Sequence, residues 1–458
     1  MKKFISCSLA FLLLLAVFPF ALAGCEKTDT ESQTSQSEES SQTEESVPMI
    51  PDISNDSAYT NVALNKTYTK SNLHPVDKPS YPDEDNKSMT DGVRPAKNAG
   101  YADKAFMGFS RSSADYNANG YSSITVDLGG IYYLDKFVAS AASAKFSNVG
   151  IDAPAYVWIY VSNDGKEWYK VGRTSHIDDP KLNSVESELK LDSAVTAQYV
   201  EYRFCCNAGG WMFISEVEAF GIPAEKAIAY PEKNADVNIL FVGNSTTYFF
   251  NIPDKLLSLA EAAGKNIDVT YCCGGGAFLH QYADGNSTLG KLFKTKLALK
   301  DYDYVVLQDN GNADFEDSKP ALDVLIPLIE QKGAEVLLYK RYSSNSDPSQ
   351  RINSAYRHEV NYTKLAQAFD VEKVAPAADA FLICTEKYPK INLYHTDNSH
   401  HSNSGAYLIA CVMAITYFDM DLTENTYTAG LDEETAKALK ECAKIACEQG
   451  YDYPQDNK

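Results

Sequence analysis

From residue 237 onward, short apolar runs alternate with amphipathic stretches, and this alternation limits most sharply what the chain can fold into. Runs near Asn238–Val242, Ile267–Tyr271, Tyr304–Leu307 and Glu335–Tyr339 have strand length, while segments near Pro253–Ala263, Ala321–Glu330, Ile352–Phe369 and Ser404–Phe418 carry helical periodicity. A further amphipathic helix is expected over Glu433–Glu448, with Asp432 as its cap. Strands alternating with helices imply a largely parallel sheet covered on both faces. The first run ends at Gly243-Asn244-Ser245 and passes into a helix from Ile252, so it reads as the first strand and turn of this α/β domain, residues 237–458. In open α/β sheets chemistry collects at the carboxyl ends of strands, which makes Ser245 a candidate nucleophile. Taken alone, the same Gly-Asn-Ser is ordinary turn chemistry.

The preceding segment, residues 59–222, has a different grammar. Tyr121–Leu128 before Gly129-Gly130, and Val157–Ser162 before Asn163-Asp164-Gly165, are short alternating runs closed by turn residues. Several such runs without a helix-length interruption predict an antiparallel β-sandwich. Trp158 and Trp168 read as core, and Trp211, after Gly209-Gly210, as either core or ligand contact. Residues 223–236, with Pro223 and Pro231, read as the interdomain linker. The expected architecture is therefore multidomain, a β-sandwich followed by an α/β three-layer sandwich.

The N-terminus adds an export signature. Lys2 and Lys3 precede a long apolar run that ends at Leu22-Ala23-Gly24-Cys25. Residues 1–24 read as a secretory signal, and the last four resemble the bacterial lipobox. That resemblance implies a lipidated Cys25 and a chain held on the outer face of the bacterial cell membrane. Residues 25–58, rich in Glu, Ser, Thr and Gln, bury too little to offset ordering entropy and read as a disordered acidic tether. A formal charge of -21, with no basic cluster, argues against nucleic-acid binding. Cys205, Cys206, Cys272, Cys273, Cys384, Cys411, Cys442 and Cys447 show no zinc-type spacing, and their apolar settings favour buried thiols, although export permits disulfides.

A serine hydroxyl needs a base, and the base an orienting acid. Asp397 and His400 stand three residues apart, so a single turn presents both on one side of the chain. A polar loop capping the helix near Ser404 is the plainer reading of the same residues. Two further loops can hold an oxyanion: Gly274-Gly275-Gly276 after the second strand, through backbone N–H groups, and Gln308-Asp309-Asn310-Gly311 after the third, through a side-chain amide. His395 and His401 flank the pair as alternative histidines. His74, His176, His280 and His358 have no partner pattern and read as surface residues.

Two resemblances follow from these residues. Asn61–Lys66, Thr90-Asp91-Gly92, Val126–Gly129, Val161–Trp168 and Gly209–Glu218 are similar to the discoidin, or coagulation factor V/VIII C-terminal, domain. That family implies a jelly-roll sandwich, carbohydrate-binding modules among its bacterial members, and a structural calcium with Asp91 and Glu216 as side-chain ligands; from the residues alone, Asp91 equally serves a turn. The α/β segment resembles the SGNH, or GDSL-like, hydrolases in four blocks taken in order: Gly243–Thr246, Gly274–Gly276, Gln308–Gly311 and Asp397–His400. The resemblance implies Ser245 as nucleophile, His400 as base, Asp397 as orienter, and Gly276 (or Gly275) and Asn310 as oxyanion donors, without a catalytic cofactor. Asn244 replaces the usual first-block aspartate, Gln308 stands where glycine is usual, and His401 where proline is usual. The implied activity is a surface esterase that removes acetyl or other short acyl groups from a glycan. A non-catalytic glycan-binding lipoprotein and an extracellular lipase are the alternatives.

Overall fold

Two long strands organise the N-terminal half. A computed structural model describes residues 52–71, 81, 83, 85–111, 119–174, 179, 181–206, 210–230 and 235–454. The signal segment, Cys25, most of the tether, His74 and His176 lie outside the described residues. Strands β1 (Thr60–Asn61), β2 (Tyr68–Lys70), β3 (Met107–Ser110), β4 (Ser122–Ala142), β5 (Pro154–Ser162), β6 (Tyr169–Arg173), β7 (Ser184–Cys206) and β8 (Trp211–Pro223) pair antiparallel in the order β1-β8-β4-β7-β5-β6, with β2 beside β4 and β3 beside β8. β4 and β7 are bent where their register shifts, between Asp127 and Tyr132 and again between Leu134 and Lys136. Such bulges add twist, and the ladder folds over itself into a jelly-roll sandwich. Ile124, Val126 and Leu128 alternate with Thr125 and Asp127, sending the apolar members to a core shared with Phe109, Phe137 and Tyr202.

The second half is built on β9 (Val237–Gly243), β10 (Ile267–Cys273), β11 (Tyr304–Leu307), β12 (Glu335–Lys340) and β13 (Val374–Pro376), all parallel in the order β10-β9-β11-β12-β13. β9 reads as a continuous apolar run because both of its faces are covered. Ile239 and Phe241 pack under helices Ile252–Ala262, Asn403–Phe418 and Glu433–Gln449. Leu240 and Val242 pack under helices Thr288–Leu297, Phe315–Glu330 and Arg351–Phe369. β9 has β10 on one side and β11 on the other, so successive connections diverge at its carboxyl end and leave a crevice there.

Several elements differ from the sequence reading. Helix Phe315–Glu330 begins six residues before Ala321, because Asp314 caps it by accepting from the Glu316 and Asp317 amides at 2.9 and 3.1 Å, and Pro320 sits inside its early turns. Helix Ala377–Lys387 is buried over most of its length and so has no polar stripe to reveal it. Helices Leu279–Ala283 and Thr288–Leu297 are separated by Asp284-Gly285-Asn286-Ser287, and β13 has only three residues. Trp158 is buried, as expected, but with the α/β core rather than the sandwich core: its Nε1–H donates to Asp254 Oδ1 at 3.0 Å. Asn251 Nδ2 likewise donates to the Cys206 carbonyl at 2.8 Å, joining the start of helix Ile252–Ala262 to the end of β7. The segment after Pro223 lies along β7, where the Tyr230 hydroxyl donates to the Thr196 carbonyl at 2.6 Å and its ring stacks on Tyr169 at 5.0 Å. The eight described cysteines are free thiols, all buried except the half-buried Cys447.

Candidate active site

The crevice at the end of β9 begins with Asn244, which caps helix Ser245–Tyr248. Its side-chain oxygen accepts from the Thr246 amide at 3.0 Å and the Thr246 hydroxyl at 2.9 Å, while its Nδ2 donates to the Ala277 carbonyl at 2.9 Å. One residue thus closes the nucleophile turn and fastens it to the glycine loop after β10. An aspartate could do the first but not the second, having no N–H to give. Gln308, fully buried, acts from the β11 side: its Oε1 accepts from the Asn244 amide at 3.0 Å and the Thr247 hydroxyl at 2.9 Å, and its Nε2 donates to the Asp309 carbonyl. Its amide is committed to holding the turn. With both anchors in place, Ser245 is held half-buried at the head of its helix.

Ser245 Oγ lies 2.8 Å from His400 Nε2, and His400 Nδ1 lies 2.8 Å from Asp397 Oδ2. With the ring proton on Nδ1, the hydroxyl donates to Nε2 and the imidazole donates to the carboxylate. Asp397 Oδ1 also accepts the backbone N–H groups of Ser399 and His400 at 2.8 and 2.9 Å. Partial burial pushes the Asp397 pKa up, but the His400 backbone N–H, the His400 imidazole and the Ser399 N–H outweigh it and hold the carboxyl below the usual range. The loop is closed on itself by the His395 amide donating to the His400 carbonyl at 2.9 Å, and braced from beyond β12 by the Asn345 amide and Ser344 hydroxyl on the Asn398 carbonyl.

The imidazole is also held face-on. Phe249 stacks on His400 with centroids 4.3 Å apart and planes 14° apart, and the Arg111 guanidinium, from the end of β3, sits 4.0 Å from the centroid of the Phe249 ring. Phe249 is delivered by an uncommon backbone: Phe250 and Asn251 follow with φ of 51° and 54°, non-glycine residues in the left-handed region. Each such residue costs about 1–3 kcal/mol and persists only where neighbours over-determine it. Here the Lys255 ammonium holds the Phe250 carbonyl at 2.7 Å, and Asn251 holds Cys206.

The structure separates the neighbouring histidines. His401 is fully buried; its Nε2–H donates to the Phe249 carbonyl at 2.6 Å and its Nδ1 faces the Tyr342 hydroxyl at 3.1 Å. Burial pulls its pKa down to about 3, so it is a neutral bracket beneath Phe249. His395 Nδ1 lies 3.2 Å from Asp397 Oδ2 without hydrogen-bond geometry. His358, read from sequence as a surface residue, is buried instead, because it shares the inner stripe of its helix with Ala355, Asn361, Tyr362 and Leu365. His280 is exposed.

The oxyanion candidates meet each other. Asn310 Nδ2 donates to the Gly276 carbonyl at 2.9 Å, and Gly276 has φ +66°, a conformation that L side chains rarely adopt. Among the described residues the other Asn310 amide hydrogen has no acceptor. Buried Asp309 fixes this loop by accepting from the Asn310 and Leu279 amides and the Ser318 hydroxyl at 2.7, 2.9 and 2.8 Å. A concavity of about 740 Å³ runs instead between the 419–428 loop and helix Glu433–Gln449, and neither Ser245 nor His400 lines it.

The calcium-site candidates sit in the sandwich. Glu216, on β8, is fully buried and takes the Gly92 amide on both oxygens at 3.2 Å, while Asp91 is exposed and accepts from the Val93 amide at 2.7 Å. Burial and the nearby Asp91 charge push the Glu216 pKa up to about 8, against the pull of the Gly92 N–H. A carboxylate in that state fits a hard cation, which would offset its charge. Among the described residues no group of three or more His, Cys, Asp or Glu surrounds a metal position, so the remaining ligands would be backbone carbonyls.

No protein-family model and no curated protein sequence matches this chain. Solved structures of two kinds are similar to it. A DUF4886 family protein from Bacteroides uniformis is 16% identical, with a TM-score of 0.41, over 48% of this chain and 99% of its own. A protein from Slackia heliotrinireducens, provisionally described as an SGNH hydrolase, is 24% identical, with a TM-score of 0.35, over 40% of this chain and 100% of its own. A family 32 carbohydrate-binding module from Clostridium perfringens, in complex with galactose, is 13% identical, with a TM-score of 0.25, over 35% of this chain and 98% of its own.

Proposed function

We propose that this protein is a serine ester hydrolase that removes acetyl or other short acyl groups from a carbohydrate. The observation that carries this reading is the continuous hydrogen-bonded path from Ser245 Oγ through His400 to Asp397, at 2.8 Å for each link. Ser245 Oγ bonds to the ester carbonyl carbon while its proton passes to His400 Nε2. The tetrahedral intermediate then collapses, and the departing alcohol takes that proton from Nε2. Water repeats the sequence on the acyl-enzyme, releasing the acid and restoring Ser245. Asp397 keeps the ring proton on Nδ1 and stabilises the imidazolium. The Ser245 and Gly276 N–H groups and the Asn310 amide receive the developing oxyanion, each donor contributing about a hundredfold or more in rate.

In this reading the sandwich domain binds the glycan, a calcium ion held by Asp91 and Glu216 steadies its loops, and a lipid on Cys25 keeps the protein on the outer face of the bacterial membrane. The test is acetate release from acetylated glycans by the wild-type protein and by Ser245→Ala. Equal rates would end the proposal.

A further inference from the structure

One cation beside the crevice has no role in this chemistry. Arg341 directly follows β12, at the carboxyl edge of the sheet and next to the loop that continues β11. Its guanidinium lies against Gly311, the residue after Asn310: a Cβ built on Gly311 would stand 1.9 Å from Arg341 Nη1, so only a glycine leaves room for it there. A positive charge therefore sits against the loop whose Asn310 amide holds Gly276.

That charge is unanswered. Among the described residues Arg341 makes no ion pair or hydrogen bond, and its Nε is shut away from solvent without an acceptor. Its closest aromatic contact is the Tyr342 ring, 5.1 Å from the guanidinium carbon. Ser343, two residues on, buries a hydroxyl that also has no partner. Lys340 next door is the opposite case, paired with Glu359 and, at 3.0 Å, with Asp379. The facing helix leaves no anion for Arg341: its Glu359 is taken by Lys340, and His358 is kept neutral, its pKa pulled to about 3 by burial and then by Arg341, Arg357 and Lys340.

A buried donor without an acceptor is destabilising, and a chain with 62 acidic residues has ample means to provide one. The planar fork of arginine matches a carboxylate in two parallel hydrogen bonds. We infer that Arg341 and the Ser343 hydroxyl form an anion subsite of the catalytic crevice that takes the carboxylate of an acidic sugar, so that the substrate class is an O-acylated acidic glycan. This rests on the ester-hydrolase reading for its substrate, but the subsite can be measured without turnover.

The experiment is calorimetric titration of the Ser245→Ala protein with a galacturonate trisaccharide and with a neutral galactose trisaccharide. The acidic sugar is expected to bind at least tenfold more tightly. Adding Arg341→Gln should abolish that preference. Adding Gly311→Ala should also abolish it, because the new methyl displaces the guanidinium while leaving the charge on the chain, and it serves if the first variant fails to fold. Equal binding of the two sugars, or a preference that survives in a folded variant, overturns the subsite. Absence of ester hydrolysis by the wild-type protein overturns the esterase reading instead, and leaves the binding result legible.

Discussion

Replacing Asp397 by Asn tests the proposed orienter through the tautomer it dictates. Asp397 Oδ1 is fixed by two backbone N–H groups, from Ser399 and His400. An asparagine has one acceptor oxygen, and that oxygen must stay on those donors, since turning the NH2 toward them would leave two N–H groups unpaired at about 1–3 kcal/mol each. The NH2 then faces His400 Nδ1, which can only accept from it. The ring proton moves to Nε2 and points at Ser245 Oγ, so the base has lost its lone pair where it is needed. A wrong-tautomer defect of this kind lowers kcat by about 10⁴-fold, equivalent to about 5 kcal/mol of barrier. The assay is kcat/KM on p-nitrophenyl acetate from pH 5 to 9 for the wild type, Asp397→Asn and Asp397→Ala, the last of which removes the carboxylate without imposing a tautomer and should lose less. An Asn variant within tenfold of wild type, or more active than the Ala variant, refutes the reasoning. Thermal denaturation supplies the fold control. Because the folded Asp397 pKa lies below its unfolded value of about 3.9, its contribution to stability is present above that pH and is lost as pH falls through the folded pKa. The stability gap between wild type and Asn variant should therefore close in acid.

Other outcomes follow from the same geometry. Asn310→Ala should lower kcat about a hundredfold with KM little changed, measured on the same ester, if its amide meets the oxyanion. His401→Ala should destabilise the fold by about 2–4 kcal/mol in denaturant titration, since it strips partners from Phe249 and Tyr342, yet keep far more activity than His400→Ala. Phe249→Leu should lower kcat about tenfold by freeing the imidazole, and Arg111→Ala should act in the same direction by about 1 kcal/mol, read from steady-state kinetics. Glu216 has a folded pKa near 8, above its unfolded value, so the folded state binds more protons and stability should fall as pH rises from about 4.5 to 8. Calcium should restore it at pH 8 by about 2.7 kcal/mol at a hundredfold excess over Kd, seen as a rise in Tm that Glu216→Gln abolishes.

What could be read from the sequence was set by local spacing. The run into Gly243-Asn244-Ser245 is apolar because both sheet faces cover it, and Asp397 and His400 share a turn because three residues separate them. Position after successive strands brings the Gly276 and Asn310 loops to one sheet edge. Contacts between distant segments left no such trace. Nothing near residue 249 announces that Arg111, from the sandwich, will cap the ring that supports His400, or that Trp158 will bond Asp254 across the domain boundary. Gln308 departs from the usual third block, and its reason is a long-range one: its buried amide holds the first block. His358 was legible but missed: its spacing of three, four and seven residues from Ala355, Tyr362 and Leu365 marks the inner stripe of the helix.

The most direct measurement of the central claim is the intact mass of the protein after exposure to a serine-reactive fluorophosphonate, with the adduct mapped by peptide sequencing. The account predicts a single adduct on Ser245 in the wild type and essentially none in His400→Ala. No adduct, or one that forms equally without His400, would contradict it.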